Sequence, residues 1–242
     1  MDGMLTQEEI DALTGGNNSD SSTQQASDIS ESLTDAERDA VGEIANINMG
    51  TAATTLSTLL NNKVTITTPR VSYVTLNELS AQYDRPCVFI HISYISGIDG
   101  NNILILKEHD VKVITDLMMG GDGTNTEGEL SELHLSAISE AMNQMMGSSA
   151  TALSEFLGIT VNISTPISFA VESEKSFKEK YFPTDEERVV VHFSLEVEGK
   201  INSEFLNIMT SGLAKRLLEP FRESISSHAQ EAEQSVQTET PA

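Results

Sequence analysis

A single cysteine, Cys87, stands among 242 residues, so no internal disulfide framework can hold this fold. A lone thiol within an apolar, strand-like run is expected to be buried and inert, which fits a reducing cytoplasm. Basic residues are also scarce, with 14 Lys and Arg against 37 Asp and Glu, a formal charge of −23. A surface of that sign repels nucleic acid and anionic lipid, so the expected partners are proteins. No run of about 18 apolar residues is present to cross a bilayer, and the acidic N-terminus lacks the basic start of a secretory signal. Direct membrane insertion is therefore not expected. The histidines, at positions 91, 109, 134, 192 and 228, are scattered, and neither CxxC nor HExxH occurs; no metal or cofactor of its own is expected. Gly120-Gly121-Asp122-Gly123 is glycine-rich, but it follows a helical pattern and lacks the spacing of a phosphate-cradling loop. A GxSxG nucleophile elbow is missing as well.

What the chain does have is an internal repeat. Asp39-Ala40-Val41-Gly42-Glu43-Ile44-Ala45-Asn46 returns 97 residues later as Ser136-Ala137-Ile138-Ser139-Glu140-Ala141-Met142-Asn143. Each frame is followed after 22 residues by a proline, Pro69 or Pro166. Aligned without a gap, residues 33–69 and 130–166 agree at 15 of 37 positions, among them Gly50/Gly147, Leu56/Leu153, Leu60/Leu157 and Ile66/Ile163. Chance does not produce that spacing twice.

On a helix, Asp39, Glu43, Asn46 and Gly50 fall within a stripe about 60° wide. Val41, Ala45, Ala52, Leu56 and Leu59 cluster on the opposite side, as do Ile138, Met142, Met145, Leu153 and Phe156 in the second copy. The Glu/Asn side is thus expected to face outward, where another molecule can meet a carboxylate and a carboxamide side by side. Gly50 and Gly147, one turn beyond the Asn, would let a partner's backbone approach closely. A Glu and an Asn on an exposed helix face are commonly only a solvated surface. Their retention in two diverged copies argues against that here, because Asn is a mediocre helix former with no reason to persist.

The remaining pattern places these helices in a fold. Thr34 and Glu37 form a capping box for a helix over about 35–60, and Ser131, with Leu130 and Leu135 as a staple, opens its counterpart. Strands are expected near 63–72, broken at Pro69, then at 87–95 and 102–107, followed by a helix over 109–119 and a loop over 120–128. The second half replays this order with strands near 160–171, 189–197 and 204–210 and a helix over 211–222. The expected fold class is α/β of the α+β kind: a pseudo-two-fold domain with two long helices on a shared, antiparallel-rich sheet of about six strands. Its most buried strands should be 189–191 and 103–106.

Ahead of this domain, Thr6 and Glu9 frame a helix of about two turns whose Leu5, Ile10 and Leu13 make one apolar stripe. So short a helix is unstable alone and is expected to form against a partner surface. Residues 17–32 have the composition of a flexible linker, with an r.m.s. reach of about 20 to 25 Å, able to hold a captured partner near the domain.

A Glu and an Asn without a metal or nucleophile suffice for few reactions. One is the hydrolysis of a group already activated, such as an aspartyl phosphate whose own protein supplies Mg²⁺ and a lysine; the missing item is then an aligned water. An Asn carboxamide can accept a hydrogen bond from that water and hold it in line with phosphorus, while the Glu pairs with the partner's lysine.

The frame [Asp/Ser]-x3-Glu-x2-Asn-x22-Pro, complete in both copies, resembles the CheC/CheX/FliY family of chemotaxis phosphatases. Leu5-Thr6-Gln7-Glu8-Glu9-Ile10-Asp11-Ala12-Leu13 separately resembles the N-terminal peptide with which flagellar switch proteins bind phosphorylated CheY. The resemblance implies hydrolysis of the aspartyl phosphate of CheY at two active sites, Glu43/Asn46 and Glu140/Asn143, flanked by Asp39, Ser136, Gly50 and Gly147. Leu5, Ile10 and Leu13 would bind the partner, and Mg²⁺ would come with the regulator. It further implies a phosphatase domain over 33–222 with repeats at about 33–121 and 130–222, and a place at the cytoplasmic face of the flagellar basal body beside FliM, FliG and FliN-like proteins. Family members with the peptide normally continue into a FliN-like domain, so residues 223–242 are expected to be a tail or the linker to one. The competing expectation is a non-enzymatic, FliM-like switch scaffold that only binds phosphorylated CheY.

Overall fold

The structure, a computed structural model, describes residues 33–75, 78–79, 86–170 and 187–221, without the side chains of 68 and 69. Leu5, Ile10 and Leu13, the linker and the tail lie outside the described residues. Among the described residues, four helices, α1 (Asp35–Leu60), α2 (Glu108–Met118), α3 (Glu132–Leu157) and α4 (Ser211–Leu218), accompany seven strands. These are β1 (Val64–Val74), β2 (Cys87–Ser96), β3 (Gly100–Lys107), β4 (Asn162–Ile163), β5 (Ile167–Ala170), β6 (Arg188–Val197) and β7 (Ile201–Met209).

The long helices start and stop where local chemistry directs. The Thr34 amide donates to Glu37 Oε2 at 2.8 Å and the Glu37 amide returns a bond to Thr34 Oγ1 at 3.3 Å. At α3 the third helical residue is His134, whose Nδ1 accepts from the Ser131 amide at 3.0 Å. Both helices end in a left-handed residue at the same repeat position, Asn61 (φ 48°) and Gly158 (φ 68°).

The sheet runs β1-β6-β7-β3-β2-β4, with β5 also beside β2 and every pairing antiparallel. The two halves are therefore interlocked. The first strand of one repeat, β1, pairs with β6 of the other, and β4 and β5 pair with β2, while β3 and β7 meet at the centre. Leu104, Leu106, Val189 and Val191 face the helices, whereas Ile103, Ile105 and Val190 pack in a second apolar cluster on the other face. Strands covered on both faces have no polar positions to alternate with, which is why 103–106 and 189–191 read as unbroken apolar runs.

Several expectations need correction. The sheet has seven strands, because the single strand expected over 160–171 is two short ones separated by Ser164-Thr165-Pro166. Pro166 has no amide to contribute to the ladder, and the Ser164 amide bonds Ser93 O at 2.7 Å. Pro69, by contrast, does not end β1. The register shifts between Thr67 and Arg70, where two residues oppose one on β6. This bulge moves the inward phase from even residues (Val64, Ile66) to odd ones (Val71, Tyr73), all packed in one core. The last helix stops at Leu218 and passes into a 3-10 turn at Glu219–Phe221 that contains Pro220. Phe156 is not a core residue: it is 39% exposed and its ring lies 4.9 Å from that of Phe221.

One serine in each copy joins helix to strand in the same way. The Val64 amide donates to Ser57 Oγ and the Val161 amide to Ser154 Oγ, both at 2.9 Å, and each hydroxyl lies 2.7 Å from the carbonyl four residues earlier. Replacing either serine by alanine strands a part-buried amide, and each variant should lose about 1 to 3 kcal/mol of unfolding free energy. Urea melts of Ser57→Ala and Ser154→Ala check this; unchanged midpoints would show that water replaces the hydroxyl.

Candidate functional site

The repeated frame lies along the outer faces of α1 and α3. Val41, Ile44, Ile138 and Met142 are buried beneath it, so the helix phase that fills the core turns Asp39, Glu43 and Asn46 outward, and all three are exposed. In the second copy Ser136 and Glu140 are exposed and Asn143 is half-buried.

Each set lines a depression between its helix and the strand that follows. The first, about 800 Å³, is formed by Arg38, Asp39, Gly42, Glu43 and Asn46 of α1 and by Thr67, Arg70 and Val71 of β1. The second, about 370 Å³, is formed by Glu132, Leu135, Ser136, Ser139, Glu140 and Asn143 of α3, with Thr165, Pro166, Ile167 and Ser168 opposite. Gly50 and Gly147 share the outward face but are not among these lining residues. A Cβ at either would meet nothing within 4 Å, so nothing within the described chain demands glycine there.

Among the described residues, no hydrogen bond engages the side chain of Asn46, Asn143 or Glu43. Glu140 differs, since its Oε1 accepts from Gln144 Nε2 at 2.7 Å; the first copy has Ile47 at that position, which cannot donate. The difference in volume also has a local cause. Ser139 contacts Ser168 Oγ, accepts from the Ser168 amide at 3.2 Å, and draws α3 toward β5, with Ser168 Oγ donating to Leu135 O at 2.6 Å. The corresponding residues of the first copy, Gly42 and Val71, can make no such bridge, and that groove stays wider.

Arg38 and Arg70 are lining residues that helical periodicity did not single out. The Arg38 guanidinium pairs with Asp35. That of Arg70 lies 3.3 Å from His192 Nδ1, and His192 Nε2 lies 2.9 Å from Ser72 Oγ. Burial and the Arg70 charge hold the His192 pKa below its ordinary value, against an opposing effect of Glu204. The neutral ring then accepts from Arg70 on Nδ1 and donates to Ser72 through Nε2. A sequence signal for Arg70 existed, since it directly follows the Thr-Pro pair that ends the repeat. Its pairing with His192 across 122 residues is visible only in the folded chain.

Known proteins share both the sequence and the fold. The CheC-like family matches residues 37–73 and 133–169, the segments that carry the two frames. The flagellar motor switch phosphatase FliY of Bacillus subtilis is 40% identical over 97% of this chain, which spans 61% of that protein's length. Thermotoga maritima FliY, solved by X-ray crystallography, superposes with a TM-score of 0.73 at 41% identity, covering 80% of this chain and 99% of that one. The FliM middle domain from H. pylori has the same fold at 13% identity, with a TM-score of 0.62 over 78% of this chain and 100% of that domain. With both frames matched and an identity of 41% across the whole of the T. maritima structure, the chain belongs to the CheC-like family, alongside the FliY proteins.

Proposed function

We propose that this chain hydrolyses the aspartyl phosphate of a CheY-type response regulator at the flagellar motor switch. The observation that carries this reading is the pair of outward carboxamides, Asn46 and Asn143, each in an open depression one helical turn after a glutamate and without a hydrogen-bond partner among the described residues. An amide oxygen engaged within its own chain is less free to accept from a water; these two are unengaged among the described residues. When the regulator docks, the Asn oxygen accepts a hydrogen bond from the attacking water and holds it in line with phosphorus, while Glu43 or Glu140 pairs with a lysine of the regulator. The regulator brings the Mg²⁺ that neutralises the phosphoryl oxygens. The protein named as a phosphatase at 40% identity supports this chemistry. The test is phosphate release from labelled phospho-regulator, which the chain should accelerate well above the regulator's own rate; an unchanged rate at saturating chain overturns the reading.

A second reading, a scaffold that only binds the phosphorylated regulator and neighbouring switch proteins, is favoured by the shared fold with the FliM middle domain. Fold alone does not decide function. A scaffold would bind the phospho-regulator and leave its lifetime unaltered. Under either reading the segment holding Leu5, Ile10 and Leu13 captures the regulator, and the following linker keeps it close. Deleting residues 1–16 should then raise KM by about 10-fold or more with a much smaller fall in kcat. Equal affinity with and without the segment would remove the tethering role.

A further inference from the structure

The two depressions differ in charge at equivalent places. Arg70 follows the first Thr-Pro and Ile167 the second, 97 residues on. The sheet confirms the equivalence: Arg70 is paired in register with His192 of β6, and Ile167 with His91 of β2. The first depression thus has two carboxylates, Asp39 and Glu43, balanced by two guanidinium groups, Arg38 and Arg70. The second has two carboxylates, Glu132 and Glu140, and no cation among its lining residues. In place of the guanidinium stands the apolar side chain of Ile167, 60% exposed.

Arg38 already faces Asp35. Arg70 is bonded only to the neutral ring of His192, with no carboxylate in ion-pair distance among the described residues. In a chain of formal charge −23, Arg70 thus keeps an exposed guanidinium without an acidic partner, buttressed by a ring that cannot neutralise it. A guanidinium suits planar, two-pronged contact with carboxylate or phosphoryl oxygens.

We infer that Arg70 is a specificity-determining residue of the first site, contacting an acidic group of the phosphoryl-bearing partner, and that Ile167 replaces this contact by an apolar one at the second. This rests on the proposed phosphatase reading and deepens it. Both sites keep the glutamate–lysine pair, and the first adds the Arg70 contact, so its KM depends more steeply on salt; the second substitutes apolar contact at Ile167 for that added charge pair. One chain therefore offers two sites whose relative use shifts with ionic strength.

The test uses full chains with one site silenced. With Asn143→Ala only the first site remains, and its KM for the phospho-regulator should rise about fivefold between about 0.03 and 0.3 M salt, as screening predicts for a contact of this kind. Arg70→Ile in that background should raise the low-salt KM by a similar factor, more than it lowers kcat, and flatten the salt dependence. With Asn46→Ala only the second site remains, and its KM should vary less with salt than that of the first until Ile167→Arg introduces the missing charge. Ile167 is exposed, so that substitution does not threaten the fold. An Arg70→Ile variant with the parent's KM and salt slope overturns the inference while leaving the phosphatase reading standing. If the parent releases no phosphate, that reading fails. Binding of a fluoroberyllate-modified regulator, with and without Arg70→Ile, then decides the inference separately: weaker, less salt-sensitive binding sustains it, and equal binding overturns it.

Discussion

Asn46→Ala combined with Asn143→Ala should lower phosphate release from the phospho-regulator by about 100-fold or more, close to the regulator's unaided rate. The substitutions remove the carboxamide oxygens that we propose align the water and touch little else. Neither side chain bonds another described residue, both lie outside the core, and alanine is the better helix former. Thermal stability should therefore hold or rise slightly, and binding of the fluoroberyllate-modified regulator should persist through Glu43 and Glu140. Each single variant should retain activity from the other depression, so the pair must be combined to see the full effect. A double variant as fast as the parent would remove the catalytic assignment of both asparagines. Loss of binding together with turnover would recast them as docking residues.

The second large effect concerns the fold. Residues 33–128 and 129–222, produced separately, should each fail to fold, although each carries two helices and at least three strands between them. Strand β1 makes its nine register pairs with β6, in the other half, while β2 takes β4 and β5 in return. Removing the second half also strips Ile138, Met142, Met145 and Leu153 of α3 from the shared core. At about 1.5 to 3 kcal/mol for each buried side chain, those four alone represent about 6 to 12 kcal/mol. That is comparable with the whole stability of an ordinary domain. Circular dichroism of the separate halves should show little cooperative melting, and co-production should restore a stable complex. A half that melts cooperatively as a monomer would contradict an interlocked sheet.

The site was partly legible before the fold was seen. Glu43, Asn46, Glu140 and Asn143 could be placed on outward faces because a helix buries residues with a fixed period, and the apolar positions of both copies leave one arc free. The opposing walls were not legible. Arg70 and Ile167 reach their depressions through strand pairing; Pro69 marks the irregularity at Thr67–Arg70, but that it is a bulge which changes the phase of β1 without ending the strand is seen only in its pairing with β6. Phe156 was misplaced for a related reason. It has the period of a core residue, yet its ring finds Phe221, 65 positions away.

Sequence by itself determined the duplication, the limits of the two long helices and the chemistry aimed outward from them, since capping, periodicity and side-chain type act within a few residues. Tertiary structure alone decided that the repeats exchange their first strands, that one groove is held narrow by Ser139 on Ser168 while Gly42 leaves the other wide, and that only one carries a guanidinium without an acidic partner. Each of those outcomes joins residues distant in the chain, and no local preference encodes which distant segment will arrive.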